Sequence, residues 1–238
     1  MYFYGEKVSF MYKHFFKRLL DVFLSLIAIV VLSPLYLVLS ICVLIGMGHP
    51  ILFSQERIGK NGKTFKLYKF RSMTNAKDES GNLLSEKERL TKFGIRLRSS
   101  SLDELPELFS ILFGKMSFVG PRPLPVYYDP YFLPNERERH LVRGGLIPPD
   151  GLCGETTPTW EKQFEYDVYY AKNVSFLLDC KVIFATFRIL FKRVKNNYGA
   201  EERPHLNQYR ADTAIKNESL KKERMALKEV AVADVTEK

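Results

Sequence analysis

The 238-residue chain has room for one sizeable domain with appendages, and its 46% apolar content is ordinary for a packed core. A net charge of +9 favours anionic partners, which charge alone leaves open between nucleic acid, phospholipid headgroups and phosphorylated substrates. Cys42, Cys153 and Cys180 are too far apart for a C-x-x-C pair, and His14, His49, His140 and His205 lie in unrelated segments. A zinc set and a His-based triad therefore lack residues, the cysteines fit a reducing compartment, and any acid–base chemistry rests on carboxylates.

After a lead of residues 1–14, residues 15–47 hold an apolar stretch from Val22 to Gly46, interrupted only by Ser25, Ser33, Pro34, Tyr36 and Ser40. Its length matches the roughly 20 apolar residues that a bilayer core demands of a helix. Lys7, Lys13, Lys17 and Arg18 precede it and Arg57, Lys60, Lys63, Lys66, Lys69 and Arg71 follow it, so both flanks read as cytoplasmic. At Ser33-Pro34 the proline frees the carbonyl of Val30 and the serine hydroxyl can bond back to the preceding turn. A helix broken there, entering and leaving by one leaflet, and a single kinked span both fit these residues. Arg18 and Asp21, three positions apart, have the spacing to pair on one helix face at headgroup level.

A catalytic domain is expected over residues 48–198. It begins with a hairpin, one strand at Ile51-Leu52-Phe53 and a second at Thr64 to Phe70, turning through Gly59-Lys60-Asn61-Gly62. A polar loop at 75–86 precedes a helical segment from Leu90 to Leu97. Leu102, Leu105, Leu108, Phe109 and Leu112 share one face of a helix ending at Gly114. Further helices are expected at about 134–142, around Phe164 to Tyr170, and over Val174 to Val194, whose apolar character suits a membrane face or the core. Residues 199–238 turn charged and read as a flexible tail.

Ser101-Leu102-Asp103-Glu104-Leu105-Pro106-Glu107 gathers three carboxylates at a helix start behind Arg96 and Arg98. Capping accounts for the same residues, since Ser101 and Glu104 have capping-box spacing, Asp103 is a good N-cap and Pro106 suits a first turn. Arg122, fixed between Pro121 and Pro123, presents a planar, doubly donating cation suited to phosphate.

Six elements, in order, carry a resemblance. They are Lys17-Arg18-x-x-Asp21, Ser33-Pro34, Gln55-x-Arg57-x-Gly59, Tyr68-Lys69-Phe70-Arg71-Ser72-Met73, Arg98-x-x-Ser101-Leu102-Asp103-Glu104-Leu105-Pro106 and Phe118-Val119-Gly120-Pro121-Arg122-Pro123. The chain resembles the monotopic phosphoglycosyl transferase, or bacterial sugar transferase, family of small single-domain type, over residues 13 to about 125 and, through Phe164 to Tyr170, to about 195. The resemblance implies a helix-dominated α+β fold with a re-entrant helix–break–helix at Ser33-Pro34, a small hairpin, and amphipathic helices on the cytoplasmic face of the inner membrane.

It further implies a catalytic dyad of Asp103, the nucleophile, and Glu104, the Mg²⁺ ligand, with Lys69, Arg98 and Arg122 on phosphate oxygens. The implied partners are a UDP-sugar donor, a polyprenyl phosphate acceptor and membrane lipid, with a homodimer possible and no nucleic acid. Two departures stand out. Glu107 occupies a position where the family usually has glutamine. Arg143-Gly144-Gly145-Leu146-Ile147-Pro148-Pro149-Asp150-Gly151-Leu152-Cys153-Gly154 stands where an Arg-Pro-Gly-Ile-Thr-Gly-Trp-Ala-Gln-like loop is expected, which leaves the sugar open and gives a catalytically weak membrane scaffold of a glycan assembly complex as the competing reading. A nucleic-acid-binding role has only the basic charge behind it and leaves the apolar stretch unexplained.

Overall fold

The computed structural model describes residues 10–195 and 203–213. The expected lead up to residue 9 and the tail positions 199–202 and 214–238 lie outside the described residues.

Helix α1 (Lys17–Val31), continuing a π-helical turn at Tyr12–Phe16, and helix α2 (Ser33–Met47) meet at Leu32 with a bend of 62°. The break has the cause anticipated from sequence. Pro34 occupies the first turn of α2, and the Ser33 hydroxyl donates to the carbonyl of Val30 at 2.8 Å. No single described helix is long and apolar enough to cross a membrane, whereas the bent pair passes that test by length and composition. Its outer side exposes Phe23, Leu26, Val30, Val31, Leu37, Val38 and Ile45, while Asp21, Ser25, Leu39 and Val43 are buried against the rest of the chain.

Strands β1 (Leu52–Ile58) and β2 (Thr64–Phe70) pair antiparallel in the register Leu52↔Phe70 to Ile58↔Thr64. The first strand thus runs five residues past its expected end, because polar Ser54, Gln55 and Glu56 sit on a half-exposed sheet. Helix α3 (Lys92–Ser99) starts at Thr91, whose hydroxyl accepts from Gly94 N at 2.9 Å. A 3₁₀ turn at Leu102–Glu104 leads into the short helix α4 (Glu107–Leu112).

A second sheet, unanticipated from the sequence, pairs β3 (Met116–Val119) in parallel with β4 (Gly144–Ile147). Gly145 is required there, since a Cβ on it would lie 2.1 Å from Gly120 N. The expected helix at 134–142 is a 3₁₀ segment, Glu136–Leu141. Helices α5 (Trp160–Lys172) and α6 (Phe176–Lys195) complete the domain.

Two buried clusters matter for the site. Leu67, Leu108, Ile111 and Met116 lie under β2 and α4, where each fully buried side chain contributes roughly 1.5–3 kcal/mol. Ile58, Leu124, Tyr128, Phe132, Trp160, Phe164 and Leu206 form another. Leu206 belongs to residues 203–213, which composition assigns to the flexible tail. Instead they pack on the domain, helical from 206 to 213, with Leu206 at 0% exposure.

Arg18 and Asp21 do not pair with each other. Arg18 donates to the carbonyls of Ile111 and Leu112 at 2.6 and 2.7 Å, capping the C-terminus of α4. Buried Asp21 accepts from Phe118 N at 3.0 Å and from the Ser117 hydroxyl at 3.1 Å. The helix face that carries them packs against the end of α4 and the strand β3.

Candidate active site

Three pieces of backbone bring the sequence-derived residues together: the end of β2, the turn before α4, and the Gly120–Pro125 segment that follows β3. Lys69 shares the inward side of β2 with buried Leu67, so its amine is directed at the turn. Ser101, with φ of 55°, sits in the left-handed region just past α3 and makes no side-chain cap. The capping-box reading of Ser101 and Glu104 is therefore not realised. The residue acts as a reversal that ends α3 and turns Asp103 inward to 8% exposure.

Glu104 is the hub. Its Oε1 accepts from Lys69 Nζ at 2.6 Å and lies 3.4 Å from Arg122 Nη1. Lys69 also reaches Oε1 of buried Glu107 at 3.1 Å, so a single ammonium bridges two carboxylates. Arg98 donates from Nε to the Ser72 hydroxyl at 2.9 Å. Asp103 takes part in no ion pair within 4 Å among the described residues; its carboxylate accepts from its own main chain and feels the charges of Lys69 and Arg98.

The electrostatics separate the acids. Burial pushes Asp103 up from the ordinary carboxylate range, helped by the charge on Glu104 and opposed by Lys69 and Arg98. Burial also acts to raise Glu104, but Arg122 and Lys69 together outweigh it and hold that group down to about 2. Glu107 is raised by burial against the pull of Lys69. One acid is thus firmly ionised and salt-bridged, and its neighbour is less acidic, buried and unpaired. Such divergence within a carboxylate pair is a physical sign of divided roles.

Arg122 is aimed by its main chain. Prolines on both sides contribute no N–H, and the surrounding carbonyls are held instead. Val119 O accepts from the Tyr170 hydroxyl at 3.1 Å, Pro121 O from Gly145 N at 2.9 Å, and Arg122 O from Arg139 Nη2 at 2.8 Å. Pro123 O accepts from Arg57 Nη1 at 3.3 Å, and Leu124 O from Ile58 N at 3.0 Å. The Arg122 side chain as a whole stays half exposed, 48%, and so open to a ligand from the cleft side. Arg57, Lys69, Glu107 and Arg122 line a cleft of about 250 Å³ including its open mouth, with Gly145 and Leu146 of β4 on another side. The divergent 143–154 segment therefore borders this cleft directly.

Lys69, Glu104 and Arg122 come together, Asp103 lies beside them, and Arg98, bonded to Ser72, is near enough for its charge to act on Asp103. Arg57, Arg139 and Asp167 went unassigned from sequence. Arg57 lay within a noted motif, whereas Arg139 sits in Glu136-Arg137-Glu138-Arg139, a run that reads as a solvated charged surface.

Among the described residues no three His, Cys, Asp or Glu side chains converge on a common point. The oxygen donors at hand are the adjacent Asp103 and Glu104, a set that suits a hard cation sharing its remaining ligands with substrate phosphates.

The sequence profile of the family described as bacterial sugar transferase matches residues 12–193. An uncharacterized sugar transferase of Bacillus subtilis, EpsL, is 42% identical over 172 residues, covering 72% of this chain and 85% of its own. The UDP-glucose:undecaprenyl-phosphate glucose-1-phosphate transferase of Klebsiella pneumoniae is 40% identical over 187 residues, 72% of this chain and 39% of that protein. The UDP-N-acetylgalactosamine-undecaprenyl-phosphate N-acetylgalactosaminephosphotransferase of Aeromonas hydrophila is 35% identical over 185 residues, 74% of this chain and 44% of that protein. The match thus spans less than half the length of these two relatives with named reactions.

Proposed function

The chain belongs to the bacterial sugar transferase family of polyprenyl-phosphate phosphoglycosyl transferases, and from that premise we propose that it moves a sugar-1-phosphate from a UDP-sugar onto undecaprenyl phosphate at the cytoplasmic face of the inner membrane. The observation that carries this reading is the buried, unpaired carboxylate of Asp103 next to a Glu104 clamped by Lys69 and Arg122. An oxygen of Asp103 attacks the phosphorus adjoining the sugar, the bond from that phosphorus to the bridging oxygen breaks, and UMP departs. An oxygen of the acceptor phosphate then attacks the same phosphorus and releases the Asp103 carboxylate, leaving a polyprenyl diphosphosugar. Neither displacement needs a net proton, and the two-step route implies ping-pong kinetics.

Charge accumulates on the phosphate oxygens in both steps, which suits fixed cations at the cleft. Arg122, reachable from solvent and rigid in its main chain, and Lys69 hold the diphosphate, with Arg98 supporting the Asp103 side. Glu104, with Asp103 beside it, would hold Mg²⁺, which would supply charge neutralisation to the donor's phosphates as UMP leaves.

The bent α1–α2 pair supports a re-entrant insertion, its outer side exposing large apolar residues while Asp21 and Ser25 on one arm and Leu39 and Val43 on the other pack on the domain. Phe113 at the end of α4 and Phe184 and Phe187 on α6 are large apolar side chains left exposed as well, as suits an interfacial protein. The acceptor's phosphate is confined to the headgroup plane, so shallow seating brings it to the acids.

The test is UMP release from membranes carrying the protein, offered a broad panel of UDP-sugars with polyprenyl phosphate. Release with at least one donor is expected. Silence across the panel overturns the reading in favour of a scaffold in a glycan assembly complex.

A further inference from the structure

Residues 203–213 lie beyond the segment matched by the family profile, so the family does not account for what they do. Their contacts are specific. The guanidinium of Arg203 stacks over the Trp160 ring, 3.5 Å from its centroid, and donates to Pro158 O at 2.8 Å and to Gln163 Oε1 at 2.7 Å. Trp160 Nε1 returns a hydrogen bond to Pro204 O at 3.0 Å. His205 Nδ1 and the Tyr128 hydroxyl are 2.8 Å apart. Further along, Arg210 bonds Glu136 Oε1 at 2.5 Å, and the Tyr209 hydroxyl donates to Glu161 at 2.9 Å.

The place where this segment inserts is informative. Leu206, fully buried, shares one apolar cluster with Ile58 and Leu124. Leu124 stands two residues after Arg122, and its carbonyl accepts from the amide of Ile58, next to Arg57 in the cleft wall. Trp160, stacked under Arg203, belongs to the same cluster and heads the helix α5 that carries Asp167, the partner of Arg139. The segment therefore backs the wall from which Arg122 projects, a stretch whose prolines donate no main-chain hydrogen bond and whose carbonyls are held from outside.

We infer that residues 203–213 form a clasp that positions the Arg122 wall for binding the donor diphosphate, with Arg203 and Leu206 as its positioning residues. Neither side chain is placed to touch substrate; both act through the Trp160–Leu124 cluster. The inference rests on the reading of the cleft as the donor site.

Full-length Arg203→Ala and Leu206→Ala enzymes, compared with the unaltered protein by UMP release, test it. The donor KM is expected to rise about tenfold in each, with the acceptor KM unchanged, because a displaced phosphate-binding group costs on that scale. Arg203→Lys should recover little of it, since an ammonium cannot stack and donate in the planar fork that Arg203 uses. Unaltered KM values for both substrates in a folded Arg203→Ala enzyme, with only its melting temperature reduced, would make the segment a mere stabiliser and overturn the proposal. Should Leu206→Ala fail to fold, the two Arg203 variants decide alone.

Amide hydrogen exchange at Ile58 and Gly145, whose N–H groups hold Leu124 O and Pro121 O, gives a readout independent of turnover. Faster exchange at these amides in Arg203→Ala is expected, and unchanged exchange refutes the clasp. If the unaltered protein releases no UMP with any donor, the functional reading falls, while the exchange result still decides whether the segment orders the wall.

Discussion

Arg139 and Asp167 form an ion pair almost wholly removed from solvent, at 1% and 0% side-chain exposure, with Nη2 and Oδ2 separated by 2.7 Å. The same Nη2 donates to the main-chain oxygen of Arg122, so a buried charge pair on the far side of the segment sets the backbone from which the cleft's reachable guanidinium extends. Its two members are not equivalent. Burial raises Asp167 to about 6 in spite of Arg139, and its Oδ1 is buried without a hydrogen-bond partner.

Each single substitution leaves the other partner buried. Arg139→Ala strands Asp167 without a counter-charge and removes the donor to Arg122, and should cost about 3–5 kcal/mol at neutral pH. Asp167→Asn leaves the guanidinium of Arg139, which cannot shed its proton, buried without a counter-charge, and should cost a similar amount. Chemical denaturation of both in one detergent checks this; a loss below about 1 kcal/mol for either would contradict it.

The pH dependence follows from the same group. A carboxyl whose folded pKa is raised contributes stability that is fully present below the ordinary carboxylate range and is lost as pH rises through about 6. The unaltered protein should therefore lose on the order of 2 kcal/mol from this source between about pH 4 and pH 7, and Asp167→Asn should show a flatter curve. Melting temperatures across that range, with identical slopes for the two proteins, would rule the effect out.

Asp103→Asn should abolish the covalent phosphosugar adduct with little change in stability, because Asp103 holds no ion pair among the described residues. Intact-protein mass spectrometry after incubation with a reactive donor reads it directly. An adduct of unchanged occupancy on Asp103→Asn protein would remove Asp103 from the nucleophile's role.

Glu107→Gln frees Lys69 from the second of the two carboxylates that share it. With less negative charge bordering the cleft, the donor KM should fall severalfold while the acceptor KM stays put. A rise in donor KM would show that Glu107 holds Lys69 in place rather than competing with phosphate for it.

For topology, cysteines placed on each flank of the α1–α2 pair should both resist a membrane-impermeant reagent in intact cells. Labelling of one flank alone would establish a full span in place of a re-entrant hairpin.

Features set by local chemistry were readable before the fold was seen. The Ser33-Pro34 break, the Thr64–Phe70 strand and the end of α4 at Gly114 each follow from a few neighbouring residues. The gathering of Lys69, Glu104 and Arg122 was readable only through the resemblance, since nothing local predicts that β2 meets the turn 35 residues later. The β3–β4 pairing was hidden because Gly144 and Gly145 carry no alternation of apolar side chains, and parallel partners so far apart leave no turn signal. Ser101 misled because its spacing to Glu104 mimics a cap, a resemblance that only the positive φ resolves. The docking of 203–213 hinges on one leucine in a polar stretch, too weak a periodicity to separate it from a solvated tail.

The bent helix pair does more than attach the domain. Tyr36, in its second arm, donates to Leu105 O at 2.6 Å, and Arg18, in its first, grips the carbonyls of Ile111 and Leu112, so both ends of the stretch bearing the acids are bolted to one lever. In the proposed seating of that lever in lipid, a tilt or change of depth would be transmitted to Asp103, and the bilayer itself would become the gauge of how far its carboxylate stands from an incoming acceptor.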